Sequence, residues 1–222
     1  MRILFVAATS FEVESLKLKV ESYASKPNFD LSTFDFKVLV TGVGMVATAF
    51  ALGTELAKKQ YDLAINLGIA GSFDKSIALG ELVEVTTDTI SELGAEDDQA
   101  FLTIAELGFG ESTFRATASL SSFYQDHNLK QAAGITVNTV HGNEASIEEL
   151  EIRLYAQIES MEGAAFLYAC REAGVPCLQI RSVSNYVEKR DRDNWQIGLA
   201  VKNLNTFATE LLEKLNKSRY RF

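Results

Sequence analysis

Residues 63–71 read LAINLGIAG, a short apolar run that gives way to two glycines. A run of this kind is typical of a strand buried on both faces of a parallel sheet. Ile3 to Ala8 and Cys177 to Val183 have the same character, and Glu81 to Ile90 forms a longer candidate rich in valine and threonine. We therefore expect these four runs to be strands of one sheet.

Helical patterns separate the strand candidates along the chain. Met45 to Lys59 is a small-residue helix candidate, and Glu162 to Ala173 is another that Gly174 would end. A long helix is expected after Asp193 to Gln196, which has the form of a capping box, and a further helix after a capping Ser10. Weaker strand candidates complete the alternation: Phe34 to Thr41, Thr136 to Val140 and Ile152 to Ile158.

This alternation predicts the fold class. We expect an α/β protein with three α/β/α layers, in which helices cover both faces of a central mixed, largely parallel sheet. The chain of 222 residues has an ordinary globular composition, with 47% apolar and 23% charged residues. It shows no repeat and no linker, so we expect residues 1–222 to form a single domain.

The charge balance bears on the partners. The formal net charge is −9, and an acidic surface repels phosphate backbones and anionic lipid, so neither nucleic acid nor a membrane is expected as a partner. No apolar run approaches the roughly 20 residues that a spanning helix needs. The apolar start is too short for a secretory signal, and a cytoplasmic location is expected.

Metal chemistry and the familiar nucleophiles have little support. The two cysteines, Cys170 and Cys177, lack metal-ligand spacing and are expected to be buried, reduced thiols. The two histidines, His127 and His141, are far apart in sequence and have no ligand cluster around them. A G-x-S-x-G motif is absent from the sequence. We expect no metal and no organic cofactor.

Gly42 to Ala47 fits the G-x-G-x-x-A dinucleotide fingerprint, and Asp62 follows Gly42 by 20 residues. The position of Asp62 argues against that function, because it precedes the strand at Leu63 instead of following it. The motif also follows the second predicted strand, not the first. We expect the glycines to turn a strand tightly into a helix, with a ligand at their N–H groups as the alternative.

Polar side chains stand where several predicted strands end. Glu12 follows the first strand, Glu159 to Glu162 lie at a strand-to-helix junction, and Arg181 to Asn185 close another strand. Ligands of open α/β sheets bind beyond the carboxyl ends of the strands. Each feature also has an ordinary explanation, as a first-turn helix acid or as a turn residue. Together they favour a site made of carboxylates, an arginine and an amide.

With these residues in place, the chain resembles the purine nucleoside phosphorylase and nucleosidase superfamily. Within it, the chain is similar to the nucleosidases of methylthioadenosine-type substrates, and most of all to the futalosine hydrolases of an alternative menaquinone pathway. Residues 91–150 match only loosely. Four segments carry the resemblance: residues 1–13, Thr41 to Ala47, Ile65 to Gly71, and Ser160 through Asn185.

The resemblance implies roles for individual residues. Glu12 matches the carboxylate that deprotonates the attacking water, and Arg181 matches an arginine near that water. Met161 matches the methionine that packs on the ribose, and Glu162 matches the acid that binds the ribose hydroxyls. Asn185 stands where adenine-specific nucleosidases carry an aspartate. Further substrate contacts are implied for Ile69, Ala70, Gly71, Ser160 and Ser184.

Asn185 points to the base of the substrate. An amide both donates and accepts hydrogen bonds, so it can donate to O6 of hypoxanthine and accept from N7–H. An ionised aspartate cannot donate to that oxygen. The expected substrate is a small nucleoside with a 6-oxopurine base, which fits futalosine. Futalosine also carries an aromatic carboxylate, for which Arg190 and Arg192 are candidates, although most arginines are simply solvated.

Water is the expected nucleophile. Residues Thr9 to Glu14 contain no arginine and Ile69 is apolar, although nucleosidases usually have a serine there, and a buried phosphate without a cation is costly. The resemblance also implies a homodimer. Four alternatives stay open: a methylthioadenosine/S-adenosylhomocysteine-type nucleosidase, an inosine-type nucleosidase, a purine nucleoside phosphorylase, and a non-catalytic nucleoside-binding module.

Overall fold

The computed structural model describes residues 1–24, 35–98, 100–122 and 129–217. Within these ranges strands and helices alternate at both ends of the chain, but between residues 63 and 136 six strands follow one another with no α-helix among the described residues, so the expected alternation throughout was wrong there. The strands are β1 (Arg2–Ala7), β2 (Asp35–Val40), β3 (Leu63–Ser72), β4 (Leu82–Ile90), β5 (Gly94–Asp97), β6 (Ala100–Thr103), β7 (Thr113–Arg115), β8 (Lys130–Thr136), β9 (Ile158–Ser160) and β10 (Cys177–Tyr186). The helices are α1 (Glu14–Ala24), α2 (Met45–Leu56), α3 (Glu144–Arg153), α4 (Gly163–Glu172) and α5 (Ile197–Lys217).

Eight strands form one mixed sheet, and β5 with β6 forms a separate two-stranded sheet. Five of the strand pairs are parallel: β1 with β2, β1 with β3, β3 with β10, β4 with β8, and β8 with β9. The pairs β10 with β4, β3 with β9, and β4 with β7 are antiparallel. The expectation of a mixed, largely parallel sheet is confirmed.

The strand β3 is long enough to pair with three others. Its first part lies between β1 and β10, and the register with β1 ends at Asn66. Farther along, Gly71 and Ser72 pair with β9 instead. From β9 the sheet continues through β8, β4 and β10 back to β3, so this part of the sheet closes on itself. The pattern of strand candidates along the sequence does not reveal this closure.

The helices cover both faces, as the three-layer prediction requires. Ile3 and Phe5 of β1 are buried against residues of α1 and α5, whereas Leu4 and Val6 are buried against residues of α2 and α4. Alternate strand residues point to opposite faces, so β1 contributes to both cores. Burying one such side chain stabilises the fold by roughly 1.5–3 kcal/mol. The two helix layers therefore hold β1, and the chain that follows it, in place.

Two weaker strand predictions were wrong. The candidate at Thr136 to Val140 overlaps β8 only at Thr136, where that strand ends. The candidate at Ile152 to Ile158 straddles the end of α3 and the start of β9. The side chain of Asn143 caps α3 by accepting from the N–H groups of Ala145 and Ser146, at 3.0 and 3.3 Å. The cap stabilises the start of α3, and the helix continues through Ile152 to Arg153 although isoleucine favours strands.

Two capping predictions were also wrong. Asp193 to Gln196 does not cap the long helix, because Asp191 caps a short 3-10 helix at Arg192–Asn194 and α5 begins at Ile197. Thr9, not Ser10, precedes the 3-10 helix Ser10–Val13 that leads into α1. Cys170 and Cys177 are buried free thiols, as expected. Among the described residues, no helix combines the length and apolarity needed to cross a membrane.

Candidate active site

The carboxylate of Glu12 is held over the second half of β3. The chain leaves β1 through Thr9, whose N–H and hydroxyl both donate to Oε2 of Glu12 at 2.9 Å. Oε1 accepts from the N–H of Ile69 at 3.2 Å. Glu12 is buried. The side chain therefore does act as a first-turn acid, and the same hydrogen bonds fix its carboxylate beside the backbone of β3.

Arg181 approaches the same place from β10. It is 1% exposed, and its Nη2 donates to Oδ1 of Asn66 at 2.5 Å. A Cβ atom at Gly68 would lie 1.9 Å from Nη1 of Arg181 and 3.3 Å from Oε1 of Glu12. The guanidinium and the carboxylate therefore lie against the same face of Gly68. The absence of a side chain there makes room for both.

Glu162 is the third charged residue of the site, beside Glu12 and Arg181. It immediately precedes α4, is buried, and has Oε2 at 3.8 Å from Nη1 of Arg181, so it partners this buried cation. Oε1 accepts from the N–H of Gly44 at 2.9 Å. Gly44 has a φ of +92°, a conformation that favours glycine. The glycine turn after β2 thus holds a carboxylate of the same chain.

Asn185 lies farther along the same run of β3. It pairs with Gly71 beyond a register shift in β10, so it belongs to the strand and not to a turn. Its Oδ1 accepts from the hydroxyl of Ser184 at 2.8 Å, and its Nδ2 donates to the carbonyl of Tyr186 at 3.1 Å. An amide can make four hydrogen bonds, so two remain for a ligand. Asn185 is partly buried.

The other predicted contact residues surround these groups. The hydroxyl of Ser184 also lies 3.1 Å from the carbonyl of Ala70, and its single hydrogen can go either to this oxygen or to Oδ1 of Asn185. Ser160 is buried, with its hydroxyl oxygen 3.4 Å from the backbone nitrogen of Gly163. Ile69 and Met161 are partly buried. The structure thus brings Glu12 and Arg181 together at Gly68, with Glu162 beside Arg181, and places Asn185 at Gly71. The functional roles of these residues stay predictions.

A buried polar group behind Arg181 was missed from the sequence. Nε of Arg181 donates to Oε1 of Gln179 at 2.8 Å, and Nε2 of Gln179 donates to Oδ2 of Asp88 at 3.0 Å. Burial raises the pKa of Asp88 to about 6, while hydrogen bonds from Thr136 and Gln179 oppose the rise. The sequence does show an acid, Asp88, and an amide, Gln179, inside otherwise apolar strands, and this pattern could have indicated a buried polar group.

A second missed pair is His141 with Glu159. The N–H of His141 donates to Oε1 of Glu159 at 3.0 Å, and its Nδ1 is hydrogen-bonded to Oε2. Burial raises the pKa of Glu159, and the hydrogen bonds with His141 oppose the rise. His127 lies outside the described residues. Within the described part of the chain, no group of three His, Cys, Asp or Glu residues is arranged to hold a metal ion.

The two loop arginines stack on an indole. The guanidinium of Arg190 lies 4.9 Å from the ring centre of Trp195, and that of Arg192 lies 5.7 Å from it. Both arginines are exposed, as is usual for this residue type. Their assignment to a substrate carboxylate stays a prediction.

Comparison with known proteins places this geometry in a family. The family model described as "Phosphorylase superfamily" matches residues 2–217. A futalosine hydrolase of Streptomyces coelicolor is 32% identical over 216 residues, which is 92% of each chain.

Solved structures share the fold. The native structure of futalosine hydrolase of Helicobacter pylori has a TM-score of 0.79 at 16% identity, with 98% of each chain covered. A 5′-methylthioadenosine/S-adenosylhomocysteine nucleosidase of Colwellia psychrerythraea, in complex with adenine, has a TM-score of 0.78 at 23% identity, with 97% of this chain and 96% of that chain covered. The chain belongs to the phosphorylase superfamily.

Proposed function

We propose that this protein hydrolyses the N-glycosidic bond of futalosine and releases hypoxanthine and dehypoxanthine futalosine. The observation that carries the proposal is the meeting of Glu12 and Arg181 at Gly68, with Glu162 paired to that arginine, in a chain that is 32% identical to a futalosine hydrolase. The broader class is that of its relatives: the chain is a hydrolase of the nucleosidase type.

Cleavage of the bond builds positive charge on the ribose and negative charge on the base. In this proposal Glu12 orients and deprotonates the water, and its carboxylate also stabilises the positively charged sugar. Three donors, two from Thr9 and one from Ile69, hold the carboxylate before substrate arrives. Preorganisation of this kind removes the cost of reorienting the base during the reaction.

Glu162 binds the ribose hydroxyls in this scheme, and Met161 packs on the sugar. Two ionised oxygens offer about four lone-pair sites. Gly44 and Arg181 use two directions on Glu162, so acceptor sites remain for a diol. Because the same glutamate faces Arg181, ribose binding and the position of the arginine are linked.

The charges at Gly68 favour water over phosphate as the nucleophile. Arg181 is the cation at this place, and it already faces Asn66, Gln179 and Glu162. A phosphate would come close to two carboxylates, Glu12 and Glu162, without a cation of its own. A buried anion in that position is expensive.

Asn185 reads the base in the proposed complex. Its remaining N–H donates to O6 of hypoxanthine, and its remaining acceptor site receives N7–H. A 6-amino base would place donor against donor at the first of these contacts. A mismatched buried polar pair costs roughly 1–3 kcal/mol, which is enough to select between the two bases.

The Asn185→Asp variant is expected to change the base preference. An ionised carboxylate accepts from a 6-amino group and cannot donate to a 6-oxo group. We expect the ratio of kcat/KM for the 6-amino analogue of futalosine to that for futalosine to rise about 10- to 100-fold. Base release measured by chromatography gives both values, and the ratio removes any loss common to both substrates.

Asn143→Asp is the matched control, because it makes the same change at an exposed helix cap where the two residues serve equally well. The control is expected to keep the wild-type ratio. An unchanged ratio in Asn185→Asp would remove this residue from base recognition.

We also propose that the protein acts as a homodimer, with a second copy covering the apolar side of α2. Val46 and Phe50 on that helix are 82% and 76% exposed. Phe109, a few residues before β7, is 79% exposed. A cavity of about 510 Å³ lies beside them, lined in part by Met45 and Tyr168. Apolar residues exposed to this extent are typical of interaction surfaces.

A further inference from the structure

Asp88 begins a directed chain of buried hydrogen bonds that ends on Arg181. Asp88 and Arg181 are each 1% exposed, and Gln179 between them is fully buried. A carboxylate can only accept, so the NH₂ end of Gln179 must face Asp88. The carbonyl end of Gln179 is then turned to Nε of Arg181, from which it accepts. The ionised carboxylate of Asp88 thereby determines that Nε of Arg181 faces the carbonyl oxygen of Gln179 and not its NH₂ group.

A second branch runs from Asp88 to the start of α4. Thr136 donates its hydroxyl hydrogen to Oδ1 of Asp88 at 2.7 Å. A hydroxyl has a single hydrogen, so the oxygen of Thr136 is left to accept, and it does so from the N–H of Ala164 at 2.7 Å. Glu162 lies two residues before Ala164. The carboxylate of Asp88 thus determines which groups donate and which accept in both branches, the one that leads to Arg181 and the one that leads to the residues beside Glu162.

The packing around Asp88 leaves little freedom. A Cβ at Gly163 would lie 2.0 Å from Oδ2 of Asp88 and 2.3 Å from Oε1 of Gln179. The first residue of α4 therefore closes directly over the chain of hydrogen bonds. Because there is no empty space around Gln179, a reversal of its amide would have to displace the neighbouring side chains.

We propose that Asp88 is a positioning residue, which orients Arg181 through Gln179 and the start of α4, with Glu162, through Thr136. The inference rests on the proposed function, in which those two side chains face the water and the ribose. Asp88 is not in direct contact with Arg181, and Glu162 already partners the guanidinium. Charge neutralisation alone therefore does not explain an acid at this position.

The energetics agree with a functional role. Burial raises the pKa of Asp88 to about 6, above its ordinary value. Relative to the unfolded chain, folding favours the protonated form, so stability falls as the pH rises from the ordinary pKa of an aspartate to about 6, and above that pH Asp88 is a carboxylate held at a cost. Groups kept charged at a cost to stability are concentrated at functional sites.

The test exchanges donor and acceptor within the chain of hydrogen bonds. In Asp88→Asn, a single oxygen is left to accept from the NH₂ of Gln179 and the hydroxyl of Thr136, so the new NH₂ group opposes one of these two donors and disturbs the branch to Arg181 or the branch to Glu162. We expect kcat/KM for futalosine to fall about 10- to 100-fold, the range for a mispaired buried polar group. Gln179→Glu alone sets two carboxylates against each other and is expected to lose a similar factor.

The double variant Asp88→Asn with Gln179→Glu restores both the order and the total charge. Asn at 88 donates to Glu at 179, and that glutamate accepts from Arg181. We expect it to be at least about tenfold more active than either single variant, as coupled neighbours allow. Glu84→Gln is the matched control, since Glu84 is a buried acid of β4 that accepts from the N–H of Leu120 and lies outside this chain of hydrogen bonds.

Crystal structures of the same variants give a readout that needs no activity. Either the guanidinium of Arg181 or the start of α4 with Glu162 should move in Asp88→Asn and return in the double variant. An Arg181 and a Glu162 that both stay in place in Asp88→Asn, or a double variant no more active than the single ones, overturns the inference. If Asp88→Asn does not fold, Gln179→Glu and the double variant provide the same comparison. Failure of the wild-type protein to release hypoxanthine would contradict the proposed function instead, and the crystal structures would still decide this inference.

Discussion

Replacement of Glu12 by glutamine should lower kcat for futalosine about 10²- to 10⁴-fold, the usual contribution of a general base. The neutral amide fills the same volume but cannot take a proton from water. It must also present one NH₂ group to the donors of Thr9 or Ile69, so its orientation is no longer fixed. Steady-state release of hypoxanthine measures kcat, and calorimetry with the inactive variant measures substrate binding.

The binding of substrate should change far less than the turnover, because Glu12 acts on the water and not on the nucleoside. Glu14→Gln is the control, since Glu14 is an exposed acid two residues farther on that opens α1. It is expected to keep wild-type turnover. If Glu12→Gln turned over futalosine at the wild-type rate, Glu12 would have no part in the mechanism.

Gly68→Ala should lower both stability and activity by adding a single methyl group beside Arg181. The new Cβ would lie 1.9 Å from Nη1 of Arg181, a guanidinium that Asn66 and Gln179 hold from two other directions. Overpacking of this kind costs about 1–3 kcal/mol of stability. A displacement of about 1 Å in a reacting group costs on the order of 10²-fold in rate, so kcat/KM should fall by about that factor.

Gly53→Ala separates this effect from the general consequence of losing a glycine. A Cβ at Gly53 in α2 meets nothing within 4 Å, and alanine there should stabilise the helix by about 0.5–1 kcal/mol. Thermal unfolding and kcat/KM are measured for both variants. Wild-type activity and stability in Gly68→Ala would show that the guanidinium does not depend on this close approach.

The layers of the fold could be predicted because their signals are local. Ile3 to Ala8 and Leu63 to Leu67 are apolar runs too short for helices, and they form β1 and the first half of β3. The partners of each strand could not be predicted. β8 contains Gln131, Ala132 and Gly134, which have low strand preference, and it forms a strand because β4 and β9 pair with it.

Some residues of the candidate site could likewise be predicted from the sequence, and others could not. Glu12 and Asn185 follow or end strands that run parallel to β3, so topology brings them to one edge of the sheet. Glu162 follows β9, which runs antiparallel to β3 and leads back along it. Asp88 and Gln179 lie inside strands, where a polar residue has meaning only once its neighbours are known. The strand register sets Gln179 between Asp88 and Arg181, and a single sequence carries no record of that register.

Hypoxanthine release from futalosine by the purified protein, measured in phosphate-free buffer and again with added phosphate, tests the proposed hydrolysis directly. We expect release at the same rate in both buffers, with dehypoxanthine futalosine as the other product. Release that requires phosphate and yields a sugar phosphate, or no release from futalosine in either buffer, would contradict it.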